Sequence, residues 1–241
     1  MTILTRELLC QLAEFDTPLL ANTVNSIDPT PAHEFYLGGS IQSVTPQLGP
    51  TVGIAYTITL DSSTPEGAPE LDEYWKQLEA IEDEDLPVVW VVKTVGSRPD
   101  HECVIGDGMA KVLAAAGCTG LVTDGGVRDV RGLLTVPFAA YCRGQVIHHC
   151  NLRFRRAGAP VEIGGITVRT GDVIHADSGG VIRVPHSCVE ELPERAIQML
   201  AFERDAHMWL RRTDLRASEK HLHVQELLAK YGFAREKAEI R

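Results

Sequence analysis

Gly106-Asp107-Gly108-Met109-Ala110-Lys111-Val112-Leu113-Ala114-Ala115-Ala116-Gly117-Cys118-Thr119-Gly120-Leu121-Val122-Thr123-Asp124-Gly125-Gly126-Val127-Arg128-Asp129 is the stretch whose reading decides the fold. Its middle, Ala110 to Ala116, is rich in Ala, Leu and Lys, all strong helix formers. Asp107 is placed to cap that helix and Gly117 to end it. Thr119 to Thr123 carries Leu121 and Val122 and predicts a short buried strand. The order loop, helix, strand, loop is one unit of an α/β fold.

The same order can bring two carboxylates, one guanidinium and several free amides to one loop cluster. The helix start leaves unpaired N–H groups at Gly108 and Met109, and these, with the helix dipole, favour an anion. Gly108, Gly125 and Gly126 let a ligand approach the backbone closely. Asp107 and Asp129 suit a hard divalent cation, while Arg128 and the amides suit a small anion beside it. That equipment can hold a 2-oxo acid on a metal and stabilise its enolate. Taken singly, Asp107 is a helix cap, Arg128-Asp129 a surface charge pair and Asp124-Gly125-Gly126 a turn. The combination is more specific than its members.

Working outward, Leu86 to Val95 contains Val88-Val89-Trp90-Val91-Val92, the pattern of a strand buried on both faces. Val52 to Leu60 predicts another strand. Glu70 to Glu82 predicts a helix with Leu71, Trp75, Leu78 and Ile81 near one face, ending in the solvated acidic turn Asp83-Glu84-Asp85. Residues 1 to 20 read as helical, Asn22 to Pro50 as loop-rich, Asp61 to Pro69 as loop, and Val161 to Val184 as strands and turns. From about Ser187 to Lys237 the chain reads as helical and charged, with Pro193 in a first turn, where proline is tolerated.

The run Gly106-Asp107-Gly108-Met109-Ala110, with Gly120-Leu121-Val122-Thr123-Asp124-Gly125-Gly126-Val127-Arg128-Asp129, resembles the RraA-like family. That family contains class II 4-hydroxy-4-methyl-2-oxoglutarate aldolases and non-catalytic regulators of ribonuclease E. Gly53-Ile54-Ala55-Tyr56-Thr57, Val136-Pro137-Phe138 with Arg143-Gly144, and Gly164-Gly165 through Gly171-Asp172, Asp177 and Gly180-Val181 add weaker matches, so the resemblance spans roughly residues 35 to 205. It implies an α/β/β/α sandwich around a barrel-like mixed sheet, assembled as a homotrimer or homohexamer. It divides the chain into a catalytic domain over 1–188, with an N-terminal helix, and a helical C-terminal arm over 189–241. Residue by residue, Asp129 is the implied direct ligand of Mg²⁺ or Mn²⁺, and Asp107 holds metal-bound water. Arg128 meets the substrate's keto oxygen, and the Gly108 and Met109 amides meet its carboxylate. Glu203 is the implied contribution from a neighbouring subunit, again through water. Gly108 and Met109 stand where the family often has two leucines, which keeps the backbone donors but changes the pocket wall.

The implied activity is metal-assisted carbon–carbon lyase chemistry on a 4-hydroxy-2-oxo acid, with a water near Asp107 as base, and oxaloacetate decarboxylation at the same site. No lysine Schiff base is needed, and Lys111 is expected to lie along its helix rather than in the loop cluster. Asp129 points to the catalytic branch, because the regulators often lack an acid after the arginine. The rivals are a non-catalytic partner of a ribonuclease E-like protein and a same-fold metal enzyme acting on a sugar acid.

Composition sets outer bounds. With 241 residues, 44% apolar and 23% charged, the chain fits a globular domain, and its net charge of −10 argues against nucleic acid as partner. No apolar run approaches membrane-spanning length and no signal peptide is apparent. The six cysteines, Cys10, Cys103, Cys118, Cys142, Cys150 and Cys188, form no C-x-x-C pair, which suits reduced thiols in a cytoplasmic protein. His148-His149-Cys150 suggests zinc, but adjacent strand residues face opposite sides. His221 and His223 do not share a helix face. Asp177-Ser178-Gly179-Gly180 reads as a tight turn, and Arg153, Arg155 and Arg156 as a solvated basic face.

Overall fold

The apolar run around Trp90 is a central strand with every residue from Val88 to Val92 buried. In the computed structural model, which describes residues 4–62, 67–96, 98, 101–149 and 151–234, the elements follow in a mixed order. They are α1 (Arg6–Leu12), α2 (Thr17–Ile27), a 3₁₀ turn (Ala32–Glu34), β1 (Gln42–Ser43), β2 (Thr51–Asp61), α3 (Asp72–Glu82), β3 (Val88–Val95), β4 (Cys103–Ile105), α4 (Asp107–Ala116) and β5 (Cys118–Thr123). There follow β6 (Gly126–Val127), α5 (Val130–Leu133), β7 (Ala139–Cys142), β8 (Phe154–Arg155), β9 (Val161–Ile163), β10 (Ile166–Val168), β11 (Val173–Asp177), β12 (Gly180–Val184), α6 (Leu192–Leu210) and α7 (Ala217–Lys230). Cys150 and Lys237 lie outside the described residues, as does part of the loop expected over 61–69.

The main sheet runs β1-β7-β5-β3-β2-β11-β12, with β8 pairing the end of β2. β2, β3, β5 and β7 are mutually parallel, and β1, β8, β11 and β12 add antiparallel pairs. This mixed sheet is nearly closed into a barrel with helices outside it. One face packs Ala55, Val89, Val91, Val122 and Ile174 against the β9–β10 hairpin. The other packs Ile58, Trp90, Val92 and Leu121 against Tyr74 and Leu78 of α3 and Leu113 of α4. Because both faces of β3 are covered, its sequence shows no polar alternation. Gly53 is required where β2 meets β3: a Cβ there would lie 2.5 Å from Pro87 O. A third cluster joins Leu9, Leu12 and Val24 to Val52, Ile182, Leu192 and Ala196, so the start of α6 packs on α1, α2 and the sheet edge.

Three expectations are corrected. The N-terminal helical stretch is two helices, because Asp16 accepts from Leu19 N at 2.8 Å and Pro18 stands in the new first turn. α2 then runs to Ile27, into the stretch expected as loop, because Thr23 and Val24 bury against the core. On α3 the buried face is Tyr74, Gln77, Leu78 and Ile81, while Trp75 is 51% exposed. Tyr74 takes the inner position by stacking on Phe154 at 5.3 Å, and buried Gln77 earns its place by accepting from Trp90 Nε1 at 2.7 Å. Among the described residues, no helix is long and apolar enough to cross a membrane.

Candidate functional site

The two ends of the motif meet because β4 and β6 form a small parallel pair, Cys103 opposite Gly126 and Ile105 opposite Val127. Arg128 N then donates to Ile105 O at 3.0 Å, which sets Arg128 and Asp129 beside Gly106. The juxtaposition is close: a Cβ on Gly106 would stand 2.7 Å from Asp129 Oδ2 and 2.9 Å from Arg128 Nε. Asp129 has φ 55°, the left-handed region that Asp tolerates better than most side chains. Its carbonyl accepts from Gly132 N at 2.7 Å and starts α5.

Asp107 is not the helix cap. Gly106 holds that position and Asp107 is the first helical residue. Its carboxylate goes instead to Lys111, whose Nζ donates to Oδ2 at 2.7 Å, one helical turn on. Lys111 therefore lies along the helix but does reach the cluster. That hydrogen bond, the ammonium charge and the Gly108 N–H hold the Asp107 carboxyl below the usual carboxylate range. Gly132 of α5 fits over the same residue: a Cβ there would sit 2.3 Å from Asp107 Cβ. Ala110 is the first amide of α4 to reach a helix carbonyl, Gly106 O at 3.1 Å, so the Gly108 and Met109 amides lie in the first turn, and that of Gly108 turns to the Asp107 carboxylate. Gly117 ends α4 at φ 111°.

A cavity of about 280 Å³ opens at this point, lined among others by Cys103, Gly106, Asp107, Gly108, Met109, Arg128 and His149. Arg128 Nε is buried, and though it lies 3.2 Å from Asp129 Oδ2 it has no aligned hydrogen-bond acceptor among the described residues. Asp129 does not itself line the cavity; its half-exposed carboxylate adjoins it at Gly106 and Arg128. Burial pushes the Cys103 thiol up to about 11, so it is neither a ready nucleophile nor a soft metal ligand at neutral pH.

The sequence offers His149 only as part of His148-His149-Cys150, a zinc pattern that strand alternation argues against. The structure places His148 and His149 in irregular loop, where the pleat does not apply, and their rings lie 5.1 Å apart. Among the described residues, no group of three or more His, Cys, Asp or Glu could hold a metal ion. Asp129 and Asp107 supply one or two carboxylates, the donor set of Mg²⁺ or Mn²⁺ sites that keep most of their shell as water and ligand oxygen, not the three or four ligands of a zinc site.

Asp124, in the centre of the quoted stretch, has a different task. It is buried, accepts from Thr94 N at 2.8 Å and from Thr94 Oγ1 at 3.0 Å, and pairs with Lys93. That part-buried pair ties the end of β3 to the end of β5. A lone lysine inside an apolar strand was the signal for it. Glu203 sits on α6, where its Oε1 accepts from Asn22 Nδ2 of the same chain at 3.2 Å. Arg153 and Arg155 are not a free basic face, because both bind Glu70. Asp177 is tied down by Thr17 N and Gly179 N, as its turn reading predicts.

Residues 23–183 match the family model described as RraA-like (Aldolase/RraA), and the chain belongs to that family. It is similar to a Halalkalibacterium halodurans protein named "Putative 4-hydroxy-4-methyl-2-oxoglutarate aldolase", with 34% identity over 90 residues, or 37% of this chain and 41% of that one. The chain spans less than half the length of the curated relatives it matches. Its fold is similar to that of Streptomyces coelicolor RraAS2, an unusual member of the RNase ES inhibitor RraA protein family, at TM-score 0.68 and 21% identity, covering 86% of this chain and 99% of that one. An uncharacterized Pseudomonas syringae pv. tomato protein is similar at TM-score 0.67 and 24% identity, covering 92% and 100%.

Proposed function

We propose that this chain is a divalent-metal-dependent carbon–carbon lyase that cleaves a 4-hydroxy-2-oxo acid of the 4-hydroxy-4-methyl-2-oxoglutarate type to pyruvate, and decarboxylates oxaloacetate at the same site. The observation that carries this reading is the convergence of Arg128 and Asp129 on Gly106, beside the N-terminus of α4 and a cavity sized for a small acid. Asp129 would hold Mg²⁺ or Mn²⁺ directly, Asp107 through water, and Glu203 of a neighbouring subunit through water in a homotrimer or homohexamer. The ion, when bound, supplies a Lewis acid for the 2-oxo group.

The protein's own groups do the rest. The Gly108 and Met109 amides, at the positive end of α4, hold the substrate carboxylate. Arg128 donates to the keto oxygen and gains strength as charge develops there, the differential binding that lowers a barrier. Its Nε, buried and without an aligned acceptor among the described residues, is already desolvated for that task. Lys111 keeps Asp107 ionised and placed.

The test is enzyme-coupled detection of pyruvate from each acid with added Mg²⁺, against a no-enzyme blank. Turnover that stops on chelation and returns with metal supports the reading. Turnover unaffected by excess chelator, or none with either acid, defeats it. In the second case the same result favours a binding protein of this fold.

A further inference from the structure

We infer that another cavity, of about 300 Å³ and lined by different residues from the first, binds a small apolar α-amino acid as its zwitterion. It lies between the 3₁₀ turn, the β9–β10 hairpin and β12. Arg169 and Arg183 line it, and so do Glu34 and Glu162. Among the described residues, neither guanidinium pairs with a carboxylate.

The fold fixes the frame around these groups. Arg183 N donates to Phe35 O at 2.7 Å, and its Nη2 to Glu34 O at 2.8 Å. Its Nε is buried and has no hydrogen-bond partner among the described residues. A guanidinium desolvated in this way, with a donor unanswered, gains more than a solvated one from an opposite charge. Arg169 opens the tight turn into β11. Its N donates to Asp172 Oδ2 at 2.8 Å, and its carbonyl accepts from Asp172 N at 3.0 Å. Across the hairpin Glu162 stands opposite Thr167, whose hydroxyl donates to Glu162 Oε1. Glu34 Oε1 is 3.9 Å from His33 Nε2, the outer limit of an ion pair.

Two signs of charge in one small cavity select the ligand. A plain anion meets two carboxylates there, a plain cation two guanidiniums, and each like-charge approach opposes binding. A molecule with both an ammonium and a carboxylate answers both pairs. Its carboxylate takes the parallel N–H donors that arginine presents, and its ammonium donates to the glutamates. Both charges of the amino acid are then engaged, which leaves no partner for a charged side chain. Ile166, 4% exposed, gives the side chain an apolar wall. The volume stands at the small end of ligand pockets, which sets the size.

The experiment titrates L-alanine, propionate and ethylamine into the purified chain by calorimetry. The last two are L-alanine without its ammonium and without its carboxylate. Expected is L-alanine binding with a Kd of about 1 mM or below, and each isostere at least ~10-fold weaker, the loss of one charge-assisted contact. Arg183→Gln, Arg169→Gln and Glu162→Gln should each weaken L-alanine binding by ~10-fold or more, with thermal melts showing that the variants fold. Arg128→Ala should leave that binding unchanged. Propionate or ethylamine bound as tightly as L-alanine, or no L-alanine binding by the wild-type chain, overturns the inference. So does binding that survives both Arg169→Gln and Glu162→Gln, or that is lost in Arg128→Ala, because the amino acid then sits elsewhere. None of these readouts uses pyruvate release, so the lyase reading stands or falls separately.

Discussion

Gly106→Ala tests the site without deleting any group that acts in it. The backbone at Gly106 has φ −121° and ψ −170°, extended values open to alanine. The added methyl would stand 2.7 Å from Asp129 Oδ2 and 2.9 Å from Arg128 Nε, both near the ends of flexible side chains. To regain ordinary contact at 3.4 Å, the carboxylate must retreat by about 0.7 Å and the guanidinium by about 0.5 Å. A displacement near 1 Å at a reacting centre costs up to ~10²-fold in rate, so kcat/KM should fall ~10- to 100-fold, about 1.4 to 2.7 kcal/mol of transition-state stabilisation. Stability should change little. Alanine for glycine at a helix N-cap costs under ~1 kcal/mol, or about 2–4 °C in a domain of this size. Steady-state pyruvate release and a thermal melt on the same preparation give both numbers. A variant as active as wild type would falsify the assignment of Arg128 and Asp129, since they cannot keep their places beside that methyl. A melt lowered by more than ~10 °C would show that Gly106 is there for the fold.

Asp129→Ala should abolish turnover and weaken Mn²⁺ binding measured by calorimetry, while Arg128→Ala should keep metal binding and lose at least ~10² in kcat; a reversed pattern would exchange their roles. Gly132→Ala should act through stability instead: its Cβ would meet Asp107 Cβ at 2.3 Å, a rigid atom, so α5 must shift and the melt should drop several degrees, whereas an unchanged melt refutes the packing argument. His175 is buried between Thr17 Oγ1 at 2.9 Å and Leu12 O at 3.2 Å, and burial lowers its pKa from 6.5. The folded state therefore favours the neutral ring, so its stabilisation is full above pH 6.5 and fades as pH falls toward the lowered value. Denaturant unfolding from pH 7.5 to 5 should show stability falling with pH, and His175→Gln should flatten that slope; identical slopes would remove His175 as the cause.

Local chemistry made much of this chain legible. The run Val88 to Val92 had to be covered on both faces, and Gly117 had to end a helix made of Ala, Leu and Lys. Both follow from residue types acting on their own neighbourhood, and the strand (Val88–Val95) and the helix (Asp107–Ala116) stand where those residues place them. The family resemblance paired Asp107, Arg128 and Asp129 across the helix and strand between them. What brings them together is the β4–β6 pairing, which depends on residues 103–105 and 126–127 meeting in space, and no periodicity in either short segment announces it. The same limit hid the partners. Asp107 looked like a cap because the sequence shows position, not which cation its carboxylate will meet, and Lys111 won it. His149 looked like half of an idle pair because strand alternation was applied to what is loop. Composition and spacing set which chemistry this chain can carry; long-range packing, which alone decides what faces a cavity, chose the residues that stand around it.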